Sequence, residues 1–242
     1  MSLVVYTAVA AGYDVLQPVG HSVAGVDYVC FTEPNIVPPP GWMHRPLPRM
    51  DLPPQSQNRY AKFHPHLLFP EYEASVYVDG NIEIVGDLQV LAERALARAQ
   101  IAFYDHPVRT DPYAEAIECA KVGFDWSGSI RHQVRRYRTE GFAGDAGLFE
   151  ANVIVRRHNE TPVVRAMERW WQEWEHGVKR DQLSLMYVLW KERLRAQGLG
   201  RHDARFVHEF FRYRPHRKPI GRSINRVARQ VFNRLDLILV GI

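Results

Sequence analysis

The stretch RYAKFHPHLLFPEYEASVYVDGNIEI, residues 59–84, decides the fold class of this 242-residue chain. Its centre, residues 74–78, is almost entirely apolar, which is typical of a strand buried on both faces of a sheet. The strand stops at Asp79-Gly80-Asn81, and the apolar character then returns. Open α/β sheets bind ligands at the carboxyl ends of their strands. The triplet therefore marks either a simple turn or the rim of a binding site.

On both sides of this stretch, strand-like and helix-like runs alternate, which indicates an α/β fold. The second half is richer in helices, and the tryptophans there fall on buried helix faces. The predicted strands lie at residues 3–10, 26–32, 42–45, 74–78 and 101–104 and within 147–155. The predicted helices lie at residues 56–63, 87–99, 113–122, 131–140 and 161–176, and a further one begins near Asp181.

The composition is that of an ordinary globular protein, with 46% hydrophobic and 24% charged residues. The two cysteines, Cys30 and Cys119, provide neither a disulfide framework nor the spacing of a zinc site. No secretory signal is visible, and no run approaches the roughly 20 apolar residues that span a bilayer. These features predict a reducing, cytoplasmic location. The net charge of +4 is mild.

Asp79 and Asn81 are the first candidate ligands. They lie two residues apart, so in an extended segment they point the same way, and Gly80 leaves room for close approach. An acid with a second oxygen donor suits a hard divalent cation that holds a diphosphate. Asp, Gly and Asn are equally the preferred residues of a β-turn, so both interpretations stay open.

Two further groups flank this strand in the sequence. Arg59 and Lys62 share one helix face, which suits phosphate recognition or is simply a solvated face. His106 and Arg109 follow the strand at residues 101–104. A neutral histidine is a common metal ligand and arginine suits phosphate, although a lone histidine is often structural.

Asp181 and Gln182 form the last candidate group. Asp181 stands where a helix cap is expected, and capping alone is a sufficient explanation. An acid beside an amide also suits hydrogen bonding to sugar hydroxyls.

Taken together, the ordered motifs resemble a family of glycosyltransferase-like proteins of bacteria and plants, long filed as a domain of unknown function. The matching stretches run from about residue 4 to 191 and are specific in their order and spacing. They are VVYTAVAAGYDVL, VDYVCFTE, RYAKFHPHLLFPEYEASVYVDGNIEI, DHPVR, YAEA, EGFAGDAGLFEANVIVRRHN, WWQEW and RDQLSLMYVLWK. The segment that leads into Asp79 is also distantly similar to the glycogenin-like transferases.

The resemblance implies a GT-A fold, in which a Rossmann-like mixed sheet flanked by helices binds a nucleotide-sugar and the C-terminal part is helical. It implies that the end of the first strand lies near the base and ribose. The residues that this assigns to the nucleotide-sugar are Tyr6, Thr7, Ala8, Tyr13 and Glu33.

The resemblance also places Asp79 and Asn81 on the metal-binding Asp-X-Asp motif, with His106 as a further metal ligand. The cation would be Mn²⁺ or Mg²⁺, held less strongly than usual because Asn81 is neutral. Arg59, Lys62 and Arg109 would face the diphosphate.

The resemblance predicts transfer of a sugar, of hexosyl type, from a UDP- or GDP-sugar to a glycan or cell-surface polysaccharide acceptor. In an inverting reaction Asp181 would act as the base or position the acceptor, whereas in a retaining one Asp181 and Gln182 would lie on the face of the donor sugar. Whether the reaction inverts or retains stereochemistry stays open. The alternative is a non-catalytic nucleotide- or glycan-binding protein with a degenerate site, which Asn81 favours.

The chain is predicted to form one GT-A-like domain at residues 1–218, followed by a basic amphipathic tail at 219–242. The tail either packs as a helix on the domain or a second copy, or lies on an anionic membrane surface. The second interpretation would place the protein peripherally on the inner face of the membrane. No nucleic-acid-binding motif is present, so no nucleic-acid partner is expected.

Overall fold

The computed structural model describes residues 1–215 and 224–239. The strands described there are β1 (Leu3–Ala8), β2 (Val26–Thr32), β3 (Met43–Pro46), β4 (Ala74–Val78), β5 (Ile82–Ile84), β6 (Ile101–Asp105), β7 (Phe149–Arg156), β8 (Gln197–Gly198) and β9 (Phe211–Tyr213). The helices are α1 (Pro54–Phe63), α2 (Pro65–Leu68), α3 (Leu88–Ala95), α4 (Pro112–Lys121), α5 (Ser127–Thr139), α6 (Thr161–His176), α7 (Asp181–Lys191), α8 (Asp203–Phe206) and α9 (Ile224–Leu239).

Seven of these strands form one mixed sheet in the order β3-β2-β1-β4-β7-β6-β8. β1 pairs in parallel with both β2 and β4, whereas β7 runs antiparallel between β4 and β6. The predicted α/β class, with a mixed sheet flanked by helices, is confirmed. Because β1, β2 and β4 are parallel, their carboxyl ends meet at one edge, and the residues that follow these strands are brought together there.

The sheet is covered on both faces, which explains why its central strands are apolar along their whole length. Alternate residues of β1 and β4 point to opposite sides. Tyr6 and Tyr77 pack in one core with Trp170 and Trp174, while Val76 lies in the other core. The prediction that the tryptophans of α6 are buried is confirmed. It is wrong for Trp190 of α7, whose exposed fraction is 39%.

The Asp79-Gly80-Asn81 triplet connects two different sheets. The N–H of Ile82 donates to the carbonyl of Asp79 at 2.9 Å, which closes a β-turn. The chain then enters β5, which pairs antiparallel with β9 in a separate two-stranded sheet. The turn interpretation of the triplet is therefore correct, and the chain leaves the main sheet at Asp79.

The helix cap predicted at Asp181 is wrong by one residue, and the helix α6 begins in the same way. Glu160 occupies the cap position of α6 and makes no side-chain cap bond, and Thr161 is the first helical residue. Arg180 precedes α7 in the same way, so Asp181 is inside the helix. Helix capping therefore does not explain why position 181 carries an acid. The contacts of its carboxylate with other side chains indicate its role instead.

Part of the predicted tail forms the helix α9, which packs on α4 and α5. Asn233 is completely buried in this contact. The predicted boundary between domain and tail, residues 218 and 219, lies outside the described residues. Within residues 1–215 and 224–239, no helix is long and apolar enough to cross a membrane.

Candidate functional site

Asp79 lies at the carboxyl end of β4, where the chain turns away from the main sheet. Its N–H still donates to the carbonyl of Asn152 in β7 at 2.8 Å, so the backbone is fixed up to this residue. Its side chain is 25% exposed. One carboxylate oxygen accepts the hydroxyl proton of Tyr77 at 2.9 Å. Asp79 is thus a carboxylate on a rigid strand end with one side open to solvent.

Gly80 allows another segment to approach this turn closely. A Cβ at this position would lie 2.6 Å from Cγ2 of Val9 and 3.2 Å from Cβ of Asp14. Real Cβ atoms do not approach other atoms that closely, so the loop after β1 packs against the turn only because residue 80 is a glycine. The same contact places the Asp14 carboxylate beside the turn.

Lys62, on α1, carries a cation that is buried between two carboxylates. Its side chain is 1% exposed, and Nζ lies 2.7 Å from Oδ2 of Asp181 and 3.6 Å from Oδ1 of Asp79. A buried ammonium group is strongly destabilising unless it is paired. The two acids that sequence analysis assigned to different motifs are therefore joined through one lysine.

Arg59 adds a second positive charge to the same group. Its Nε lies 3.0 Å from Oδ2 of Asp181, in ion-pair contact although the N–H direction does not form an aligned hydrogen bond. The guanidinium group also lies over the ring of Trp174, 5.2 Å from its centre. Asn58 is placed between these groups, because its Oδ1 accepts from Arg59 and its amide lies 3.5 Å from the Tyr77 hydroxyl.

Asp181 is held in its charged form. Burial alone raises the pKa of this carboxyl, but the charges of Arg59, Lys62 and Arg180 outweigh burial and hold the pKa well below its ordinary range. A base with such a low pKa takes up protons poorly near neutral pH. The contacts therefore favour a positioning role for Asp181, holding two cations, over the predicted role of general base.

A second charged cluster surrounds Glu115 of α4, whose side chain is 2% exposed. Nε of Arg109 lies 2.5 Å from Oε2, and Nη2 of Arg180 lies 3.5 Å from Oε1. Arg180 also donates to Oε1 of Gln182 at 2.6 Å. We call Lys62, Arg59, Asp79 and Asp181 the Lys62 cluster. Because Arg180, Asp181 and Gln182 are consecutive, the start of α7 joins the Glu115 cluster to the Lys62 cluster.

His106 belongs to the Glu115 cluster. Its Nδ1 accepts the N–H groups of Val108 and Arg109 at 3.2 and 2.9 Å, so this nitrogen stabilises a loop. Its Nε2 lies 3.9 Å from Oε2 of Glu115. Burial is the main cause that lowers the pKa of His106, which favours the neutral ring.

Three residues predicted to contact the nucleotide lie beneath the site. Tyr6, Thr7 and Ala8 are at most 1% exposed. The Tyr6 hydroxyl donates to the carbonyl of Lys62 at 3.1 Å and accepts from Arg156. In this conformation the side chain of Tyr6 supports α1 and contacts no open surface, and strand alternation alone did not reveal this.

Glu33 and Tyr13 are accessible. Oε1 of Glu33 accepts the N–H of Ala11 at 2.5 Å, and this bond fixes the loop after β1, in which Ala11 has a φ of 53°. Burial raises the pKa of Glu33, but this bond and a hydrogen bond from Thr32 outweigh it and lower the pKa. Tyr13 is 67% exposed.

The residues predicted to bind a divalent cation do not form a ligand set. The amide nitrogen of Asn81 donates to the carbonyl of Arg214 at 2.9 Å, so this side chain joins the turn to the segment after β9. His106 uses Nδ1 on its own loop. In the part of the chain that the structure describes, no group of three His, Cys, Asp or Glu side chains could hold a metal ion. The cation requirement stays a prediction.

Sequence reasoning missed four residues of these clusters: Asn58, Tyr77, Glu115 and Arg180. Two of the four could have been recognised from a pattern in the sequence. Asn58 precedes Lys62 by four residues and so shares its helix face. Glu115 is an acid among the small apolar residues of α4, where a buried carboxylate requires partners. The contacts of Tyr77 and Arg180 depend on tertiary packing and had no such signal.

The fold and the site define a class: an α/β protein with charged clusters at the carboxyl ends of parallel strands. Residues 53–211 match the family model described as TOD1/MUCI70, glycosyltransferase-like domain. This match covers more than half of the chain, and the chain belongs to that family. The predicted resemblance to glycosyltransferase-like proteins is confirmed.

One relative in this family is a plant protein. The chain is 31% identical over 134 residues to the probable hexosyltransferase MUCI70 of Arabidopsis thaliana. The match covers 51% of this chain and 23% of the plant protein.

Solved glycosyltransferase structures are also similar to this chain. Mouse xyloside xylosyltransferase 1 has a TM-score of 0.46 and 13% identity, over 81% of this chain and 84% of the other. The bifunctional glycosyltransferase WbbM has a TM-score of 0.47 and 13% identity, over 78% of this chain and 37% of the other.

Proposed function

We propose that this protein transfers a sugar, of hexosyl type, from a nucleoside-diphosphate sugar to a glycan acceptor. Family membership supports glycosyl transfer. The observation that carries the donor class is the group of two cations, Lys62 and Arg59, held by Asp181 beside the open strand end at Asp79. Two fixed cations at a strand end suit a diphosphate.

The two cations of the Lys62 cluster explain how the site would assist the transfer. During transfer, the bond between the sugar's anomeric carbon and the diphosphate oxygen breaks, and negative charge develops on the leaving diphosphate. Lys62 and Arg59 are already oriented by Asp181, so they would need little reorganisation to stabilise that charge. The acceptor hydroxyl forms the new bond to the anomeric carbon and gives its proton to the departing diphosphate or to water.

The predicted residues divide into two roles under this proposal. Asp79 and Arg59, which are partly exposed, face the donor, and Lys62 acts on it through its charge from the buried side. Asp181 and Gln182 position cations. Tyr13 and Glu33 lie on or beside the loop after β1 and remain candidates for the base and ribose. Arg109 is paired with Glu115, so any contact with phosphate would compete with that ion pair. The donor is a UDP- or GDP-sugar, and a divalent cation is included in the test below.

A second candidate is a non-catalytic nucleotide- or glycan-binding protein. The observation in its favour is that Asn81, at the second position of the Asp-X-Asp-like triplet, bonds to the Arg214 carbonyl. Such a protein would bind the donor or the glycan without turnover.

The experiment is a thermal-shift screen of UDP, GDP and their sugars, with and without Mn²⁺ or Mg²⁺, followed by assay of nucleoside diphosphate release. A ligand at 100 times its dissociation constant stabilises by about 2.7 kcal/mol, which gives a measurable shift. A shift with release supports transfer, and a shift without release for any donor and acceptor supports the second candidate. No shift with any compound would contradict the proposed donor class.

A further inference from the structure

Helix α9 docks on the domain through its polar side. The amide nitrogen of Asn233 donates to the carbonyls of Ala120 and Asp125, both at 2.8 Å, and its oxygen accepts the N–H of Ser127 at 2.9 Å. Gln230 adds a bond to a carbonyl at the end of α4. These hydrogen bonds fix which side of the helix faces the protein.

The opposite side of α9 is apolar and exposed. Val227, Val231, Phe232 and Leu235 are between 42% and 58% exposed, and we call them the α9 apolar face. Three of them are spaced four residues apart, on one stripe of the helix. Asn233 is two residues from both Val231 and Leu235, which is about half a turn away. A helix that packed only to stabilise the domain would bury this stripe, whereas α9 leaves it exposed and buries its polar side.

Trp126 extends the α9 apolar face onto the domain. It immediately precedes α5, is 47% exposed, and its ring lies 5.3 Å from that of Phe232, edge to face. Five apolar side chains therefore form one continuous exposed patch, and such patches on soluble domains mark interaction sites.

The surroundings of the patch are basic. Arg234 of α9 is exposed. The one acid among residues 226–236, Asp236, is paired with Arg131 of α5. Helix α5 itself carries four arginines and a histidine and no acid. Three of those arginines, Arg131, Arg135 and Arg138, line an otherwise largely apolar groove of 380 Å³ between α4 and α5.

We propose that the α9 apolar face and Trp126 rest on a lipid bilayer that contains anionic headgroups. A second copy of the chain would bring like charges together around the patch, whereas an anionic bilayer complements both the apolar centre and the arginines. Tryptophan is also enriched at the level of the headgroups. The contact is peripheral, and it places the rest of the domain at the membrane surface.

The test is co-sedimentation of the full chain with phosphatidylcholine vesicles, with and without phosphatidylglycerol. We expect binding to the anionic vesicles that weakens at high salt. The triple variant Val231→Ser, Phe232→Ser, Leu235→Ser should bind roughly tenfold or more weakly. Its circular-dichroism melting curve should match that of the wild type, because these side chains are exposed.

A matched control replaces three exposed apolar residues elsewhere: Val37→Ser, Leu67→Ser, Val207→Ser. It should bind vesicles like the wild type. The proposal is overturned if the wild type does not bind anionic vesicles, or if the triple variant binds as well as the control. It is also overturned if light scattering shows a dimer that only the α9 triple variant dissociates, since a second copy would then cover the face.

Discussion

Asp181 is the residue at which the two charged clusters of the candidate site meet. It holds Lys62 and Arg59 directly, and its neighbour Arg180 reaches Glu115. A buried carboxylate with several cations around it is stable only as a set, because each charge has lost its hydration. Removing one member should therefore lower the free energy of unfolding by more than the interaction energy of any single pair.

The change Asp181→Asn tests this dependence. It leaves Lys62, which is almost fully buried, without its nearest carboxylate. We expect the free energy of unfolding to fall by about 3–5 kcal/mol, measured by urea denaturation. The control is Asp51→Asn, which breaks the exposed pair with Arg49 and should leave the stability almost unchanged. Equal losses in the two variants would show that burial of the Asp181 cluster has no special effect.

Gly80 is a second residue whose type is dictated by contact. In Gly80→Ala the new Cβ would meet Val9 and Asp14, so either the loop after β1 or the turn must move. We expect a loss of about 1–3 kcal/mol, measured in the same way. Gly128→Ala in α5, where a Cβ meets nothing within 4 Å, should be neutral or stabilising. A Gly80→Ala variant as stable as the wild type would contradict the close approach.

At this scale the sequence predicted the charged residues of the site better than the buried tyrosine and threonine beneath them. Arg59, Lys62, Asp79 and Asp181 were singled out by motif and spacing, and the structure brings them together. Their pairing was not predictable, because Asp181 follows Lys62 by more than a hundred residues. Tyr6 and Thr7 were assigned to the nucleotide through the family resemblance, and neither that resemblance nor the strand pattern shows which face of the strand a later helix covers.

At the scale of elements, the hydrophobic periodicity of the sequence was sufficient to predict most strands of the main sheet and most of the helices that cover it. The strands β1, β2 and β4 were predicted at or close to their observed bounds, because each is a compact apolar run. The two-stranded sheet of β5 and β9 was not predicted. Each strand has only three residues, and their pairing joins parts of the chain far apart in sequence. A short strand carries too little periodic signal to be recognised alone.

The hydrogen bonds that dock α9 on the domain predict how this helix responds to a substitution. Asn233→Ala removes the three hydrogen bonds that join α9 to Ala120 of α4, to Asp125 and to Ser127 at the start of α5. We expect local detachment, seen as faster amide hydrogen exchange across residues 224–239 with little change in the main sheet. Arg234→Ala, on the exposed side, is the control. Unchanged exchange in the Asn233→Ala variant would mean that other contacts hold the helix.

For the whole molecule, buried histidines should make stability depend on pH. Nε2 of His158 bonds to the carbonyl of Phe69 at 2.8 Å in the buried core. Burial, reinforced by the charge of Arg156, lowers the pKa of His158 to about 4. The ordinary value in an unfolded chain is about 6.5. Between these values the unfolded chain binds the proton and the folded protein does not.

The stability that neutral His158 confers is therefore complete above about pH 6.5 and is lost as the pH falls toward 4. The loss across this window is roughly 3 kcal/mol. His158→Gln, which keeps a donor without a titrating group, should flatten the dependence in urea denaturation at several pH values. His176→Gln, at an exposed site, should leave it unchanged. Parallel curves for the wild type and His158→Gln would contradict the prediction.

The proposed function also belongs to the whole molecule, because it requires the strand end, α1 and the start of α7 at once. The most direct test is the rate of nucleoside diphosphate release from the UDP- or GDP-sugar that the binding screen selects. Asp79→Asn preserves shape while removing the exposed carboxylate of the cluster.

We predict that the wild type and Asp51→Asn release the nucleoside diphosphate at equal rates. Asp79→Asn should remain folded and release it about 100-fold more slowly, because the variant lacks the carboxylate that orients the Lys62 ammonium group and would hold a divalent cation against the diphosphate. Equal rates in folded wild-type and Asp79→Asn protein, or no release from any UDP- or GDP-sugar, would contradict the account.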